Sequence, residues 1–178
     1  MGELALVLGG VRSGKSRWAE QLAASRPPVT YLATAQAGDE EMARRIAEHK
    51  KRRPGEWQTV EEPWDLPGVV RRHRDGTLLI ECLTLWLTNL LVGISGQPAL
   101  DDNRIRAVVD DLLTAVRETS GRIIVVSSEV GSGIVPENAL ARRFADLLGE
   151  TNRRLAAAAS EVYLCVAGIP VPIKGRAP

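Results

Sequence analysis

The sequence predicts an α/β chain built on a mainly parallel sheet flanked by helices. Three observations carry that expectation. Short apolar runs alternate along the chain with stretches of helical period. The runs are continuously apolar rather than alternating, as suits strands covered on both faces. A glycine-rich turn, "GGVRSGKS" at residues 9–16, separates the first such run from the first helical stretch.

In chain order, residues 4–8 read as a strand and 15–25 as a helix. Residues 29–33 form the next strand and 39–53 the next helix. The stretch 54–68, with three prolines and two tryptophans, is expected to be irregular or to hold one short edge strand. A strand at 78–81 leads into a helix at 84–91, and a helix at 102–119 precedes a strand at 123–127. Pro136 suits the first turn of a long helix over 137–159. The last strand is 162–166, and residues 92–102 and 168–178 read as loops. Neither loop is long enough to divide the chain, so residues 1–178 are expected to form one domain.

The 178 residues carry a net charge of +1, with 44% hydrophobic and 25% charged side chains. This is ordinary globular composition and gives no overall pull toward nucleic acid or a membrane. Two tyrosines and one phenylalanine offer no stacking platform for bases. The first apolar run is far shorter than a membrane span and lacks the features of a secretory signal. Cys82 and Cys165 are too few for a disulfide framework or a zinc site, and both are expected to be plain buried thiols. A cytoplasmic protein is the expectation.

The turn fits G-x-x-x-x-G-K-[ST] in the required strand-to-helix context, which makes it a P-loop. Its residues are Gly9, Gly10, Val11, Arg12, Ser13, Gly14, Lys15 and Ser16. Successive backbone N–H groups there can turn inward on phosphate oxygens, aided by the positive end of the following helix. Lys15 is expected to reach the β- and γ-phosphates, and the Ser16 hydroxyl to ligate Mg²⁺. A carboxylate at a neighbouring strand end completes such a metal shell. Glu81 ends "TLLIE" where that acid belongs, and Glu129 ends the following strand similarly.

A second feature is the tract at residues 44–53, with six Lys or Arg and one Glu around His49. On a helix Met42, Ile46, His49 and Arg53 share one stripe, which by itself favours a half-buried structural histidine. The surrounding cations favour the neutral imidazole and could hold a triphosphate, which favours a nucleophile. Spacing and chemistry therefore point in opposite directions. His73, the other histidine, reads as a surface residue.

The stretches "LVLGGVRSGKSRWAE", "YLATAQAGDEEMARRIAEHKKRRPGEWQTVEEP", "LLIECLTLWLTNLL" and "VVSSEVGSGIVPENALARRFADLLGETNRRLAAAASEVYLCVAGIPVPIK" go further. Together they resemble the adenosylcobinamide kinase/adenosylcobinamide-phosphate guanylyltransferase family of late cobalamin biosynthesis. The H-[KR]-x-x-R-P-x-x-W and E-V-G-x-G-I-V-P-E-N segments are more specific than the P-loop. The resemblance implies a RecA-like P-loop NTPase fold, a homotrimer, and two reactions. ATP or GTP phosphorylates the aminopropanol hydroxyl of adenosylcobinamide. A histidine, His49 by position in the motif, then carries GMP from GTP to the cobinamide phosphate. The implied nucleotide contacts are residues 9–16 together with Ala33, Thr34, Ala35, Lys50, Lys51, Arg52, Arg53, Glu61 and Glu81. Two other readings compete: a P-loop small-molecule kinase without nucleotidyl transfer, and a non-enzymatic nucleotide-dependent switch.

Overall fold

A computed structural model describes residues 3–36, 40, 44, 47 and 53–175. The chain runs β1 (Glu3–Gly9), α1 (Lys15–Ala24), β2 (Val29–Ala33), β3 (Gln58–Glu61), α2 (Leu66–Arg72) and β4 (Thr77–Glu81). It continues through α3 (Leu83–Val92), α4 (Asp102–Glu118), β5 (Arg122–Ser128), α5 (Ala139–Ala158), β6 (Glu161–Val166) and β7 (Ile169–Lys174). The seven strands form one sheet in the order β3-β2-β4-β5-β1-β6-β7. Every pairing is parallel except β6 with β7.

Side-chain alternation on the strands sorts the core into two layers. Leu4, Leu6, Leu8, Leu78, Ile80, Ile123 and Val125 face the layer packed by α2, α3, α4 and α5. Ala5, Val7, Leu79, Ile124 and Val126 face α1. That helix presents only Ala19 and Ala23 as fully buried residues, and such small side chains let its backbone lie close to the strands. The larger layer is centred on Trp86, fully buried, whose indole N–H donates to the Trp64 carbonyl at 2.8 Å. Truncating a core tryptophan of this kind costs about 3–5 kcal/mol.

Among the described residues three helices start on side-chain caps. Asp65 accepts from Gly68 N, Asp101 from Arg104 N, and Asn138 from Ala141 N. Each such cap contributes about 1 kcal/mol. By contrast α1 starts on Gly14 without a side-chain cap, so its first N–H groups stay directed at the glycine-rich loop.

The expected elements recur within one or two residues, with five corrections. The long helix begins at Ala139 behind its Asn138 cap, so Pro136 belongs to the preceding loop rather than to the first turn. Residues 54–68 do hold the expected edge strand, β3, but also the start of α2, in which Pro67 occupies a first-turn position. The tail is not wholly loop, because Ile169–Lys174 forms β7. Its prolines are tolerated because β7 is an edge strand with only one hydrogen-bonded neighbour. In the helix expected over 39–53, Glu40, Arg44 and Ala47 are helical and exposed, whereas Arg53 sits in a bend. The rest of that expectation, including His49, Lys50, Lys51 and Arg52, lies outside the described residues. Finally, His73 is half-buried rather than a surface group. Its Nε2 faces the Gly76 carbonyl at 3.4 Å, and burial holds its pKa below the ordinary histidine value.

Candidate active site

The site grows from the end of β1. Gly9 has no room for a side chain, since an added Cβ would lie 2.3 Å from Ser13 Oγ and 2.8 Å from the Cys165 carbonyl. Gly14 adopts φ 90°, and an added Cβ would stand 2.9 Å from Gly168 Cα. The loop therefore rests on the β6–β7 turn, and Gly168 N–H donates to Ser13 O at 2.9 Å. Arg12 holds φ 56°, a left-handed conformation that non-glycine residues adopt at some cost. Ser13 Oγ is buried without a hydrogen-bond partner. The Lys15 ammonium donates to the Gly10 carbonyl at 3.0 Å, which draws the cation across the loop it follows in sequence.

Parallel register carries the second part of the site to the same sheet edge. Ala33 pairs with Glu61 on one side and with Glu81 on the other, so all three share one row at the strand ends. Glu81 accepts a hydrogen bond from the Ser16 hydroxyl, 65 residues away in sequence. The sheet thus joins the P-loop serine to the acid that the sequence nominated. Two hard oxygen donors beside a phosphate loop suit Mg²⁺, which takes one or two protein oxygens and keeps phosphate and water for the rest. Among the described residues no group of three His, Cys, Asp or Glu offers a competing metal site. Glu129 plays a different part. Its Oε1 accepts from Gly131 N at 2.8 Å within its own loop, while its backbone N–H donates to Gly9 O at 3.1 Å.

Thr34, expected among the nucleotide contacts, is fully buried, and its hydroxyl is committed within the chain. It donates to Cys82 O at 2.7 Å and accepts from Cys82 N at 2.8 Å, clamping the residue after Glu81 from both sides. The Glu81–Cys82 peptide is cis. Asn89 on α3 donates to Thr34 O and to Pro63 O, both at 3.0 Å, and so ties the ends of β2 and β3 together. Thr84 Oγ1 accepts from Ser128 N at 2.8 Å, fixing the end of β5 to the same helix. The sequence reading missed Asn89 and Thr84. Polar residues inside an otherwise apolar helix, "LTLWLTNLLV", were the available signal.

Arg53 stands 3.7 Å above the Tyr31 ring centroid and donates to Thr59 Oγ1 at 3.1 Å. It anchors the end of the basic tract on the β2–β3 side of the sheet. The Tyr31 phenol is held far above its ordinary pKa by burial first and by the Glu81 charge second, with Arg53 opposing. Burial, followed by Glu81, pushes the Cys82 thiol up to about 11, and burial also raises Cys165. Neither cysteine is a thiolate near neutral pH, consistent with the expected plain thiols. Ala35 follows Thr34 as half-buried irregular backbone.

A phosphate loop between strand and helix, with a strand-end acid on its serine, defines a P-loop NTPase. The solved structure of a prototypical ATPase from the type III secretion system of pathogenic bacteria shares this fold. It has a TM-score of 0.59 and 12% identity over 97% of this chain and 57% of that one. The chain belongs to the cobinamide kinase / cobinamide phosphate guanyltransferase family, which it matches over residues 5–173. It is 49% identical to the bifunctional adenosylcobalamin biosynthesis protein CobP of Pseudomonas aeruginosa, covering 96% of this chain and 97% of that one. It is 45% and 43% identical to the CobU proteins of Salmonella typhimurium and Escherichia coli, each match covering 95% of this chain and 98% of the relative.

Proposed function

We propose that the chain phosphorylates adenosylcobinamide and then transfers GMP to the product. The observation that carries the kinase step is the meeting of Ser16 with Glu81 beside Lys15. In that step the aminopropanol oxygen forms a bond to the γ-phosphorus of ATP or GTP. The bond from that phosphorus to the β-bridging oxygen breaks, the nucleoside diphosphate leaves, and the hydroxyl proton passes to solvent. Lys15 and the loop N–H groups hold the phosphate oxygens while charge shifts toward the leaving group. Ser16 and Glu81 would hold Mg²⁺, which when bound offsets negative charge on the phosphates. Positioning and electrostatics supply most of the acceleration for this chemistry, so a strong general base is not required.

The transfer step is assigned to His49. A neutral imidazole nitrogen bonds to the α-phosphorus of GTP, the α–β bridging bond breaks, and pyrophosphate leaves. A phosphate oxygen of adenosylcobinamide phosphate then takes the GMP, the P–N bond breaks, and the imidazole is restored. Lys50, Lys51, Arg52 and Arg53 would offset the pyrophosphate charge. Of these, Arg53 lies on the sheet beside β2, which supports placing the tract near the strand-end acids. Ala33, Thr34, Ala35 and Glu61 belong to the same proposal as nucleotide contacts. Thr34, whose hydroxyl, N–H and carbonyl are all bonded within the chain, would serve by fixing the backbone of Ala33 and Ala35 on either side of it. The proposed working form is a cytoplasmic homotrimer. No helix among the described residues is long and apolar enough to cross a membrane.

The test is incubation with α-labelled and γ-labelled GTP in parallel. The α-label is expected to mark the protein through an acid-labile, base-stable bond, and the γ-label is not. His49→Ala is expected to abolish marking and GMP transfer while retaining phosphorylation of adenosylcobinamide. Uptake of α-label by His49→Ala would move the nucleophile elsewhere. Failure of the unaltered chain to take up α-label while it still phosphorylates would leave a kinase alone.

A further inference from the structure

The E-V-G-x-G-I-V-P-E-N segment has no part in the chemistry described above, yet the strand order gives it a commanding place. β5 lies between β1 and β4, so its exit emerges between the P-loop and Glu81. The Glu129 N–H bond to Gly9 O holds the start of this exit against the P-loop. Its far end is held by Arg142, whose Nη1 donates to Pro136 O at 2.8 Å and Glu137 O at 2.6 Å. Between these anchors Ile134 is 96% exposed and Val135 74% exposed, with Val130 also on the surface. Bare aliphatic side chains on a loop anchored at both ends are suited to an apolar surface that arrives with a ligand.

We infer that residues 130–135 form the docking surface for the corrin ring of the acceptor, with Ile134 and Val135 as the apolar contacts. This rests on the kinase reading above. An acceptor hydroxyl has to approach a γ-phosphate held between Lys15 and Glu81, and the ground between those two groups is the β5 exit. The corrin macrocycle is broad and rimmed with methyl groups, and it is tethered to the aminopropanol that carries the hydroxyl. Its apolar face can cover Ile134 and Val135 while the tether reaches toward the phosphate. The nucleotide makes no use of these side chains, so they set acceptor affinity alone.

The experiment is steady-state phosphorylation by the full chain carrying Ile134→Ser and Val135→Ser together, with Ile173→Ser on β7 as a control. Removing two apolar side chains from a contact is expected to raise the KM for adenosylcobinamide by about tenfold or more. The KM for ATP is expected to stay unchanged, and the control to match the unaltered chain. Both side chains are exposed in the free protein, so folding does not depend on them. An unchanged acceptor KM would overturn the inference. So would an equal rise in the KM for ATP, or a changed oligomer by light scattering with an unaltered acceptor KM, which would mean that another copy covers the loop. An unaltered chain that phosphorylates no corrinoid would remove the underlying reading and this inference with it. An active chain with an unmoved KM removes the inference only.

Discussion

The exits of β4 and β5 leave the same sheet edge as neighbours and are built in opposite ways. After β4 the backbone is gripped on both sides. Thr34 exchanges two hydrogen bonds with Cys82, Asn89 holds Thr34 in turn, and the Ser16 hydroxyl meets Glu81. After β5 the segment is held at Glu129, which also takes the Gly131 N–H, and at Pro136–Glu137, and the aliphatic side chains of Ile134 and Val135 face solvent. The difference follows from what each exit would handle. Groups that stabilise shifting phosphate charge act best when fixed beforehand, because reorganisation would cost part of their effect. A surface for a bulky acceptor has to stay uncovered until the acceptor comes.

The largest expected effect tests the fixed side. Lys15→Ala removes the charge beside the P-loop, and phosphorylation is expected to fall by about 10²–10³. Its circular dichroism is expected to match the parent, because among the described residues the Lys15 ammonium donates to an exposed loop carbonyl and to no core group. A rate near that of the parent would break the assignment of this exit to phosphate chemistry.

Glu81→Gln keeps the shape and removes the charge. A loss of rate is expected, with a higher Mg²⁺ concentration at half-maximal rate, read from a magnesium titration. An unchanged titration would shift attention to Glu129 and erase the contrast between the two exits.

Thr34→Val is the finest probe. It leaves the Cys82 N–H without its partner and removes one of two donors to the Cys82 carbonyl, which still accepts from Trp86 N, at a stability cost of about 1–3 kcal/mol. If Thr34 positions Glu81, the magnesium midpoint is expected to rise several-fold, and Thr34→Ser is expected to restore it. Loss of stability with an unmoved midpoint would make Thr34 a structural strut only.

Much of this was legible in the chain because the signals are local. Residues 9–16 hold strand end, turn and helix start in eight consecutive positions, and the positive φ of Gly14 is a local demand for glycine. The close approaches of Gly9 to Cys165 and of Gly14 to Gly168, by contrast, come with the tertiary structure. Glu81 was legible because an acid directly after a buried strand has to emerge at the sheet edge. β7 was harder to read. Pro170 and Pro172 argue against a strand unless its edge position is known, and that position comes from pairing with β6 alone.

The sequence by itself determined the α/β class, the glycine-rich loop, the strand-end position of Glu81 and the family. Each is written in contiguous residues whose physical meaning does not depend on distant parts of the chain. Tertiary structure alone decided that Thr34 and Asn89 brace the β4 exit, through bonds spanning 48 and 55 residues. It alone set β5 between β4 and β1 and so brought the start of the β5 exit, at Glu129, against Gly9 of the P-loop. Parallel strands that are neighbours in the sheet are far apart in sequence, and no local pattern encodes which of them will lie side by side.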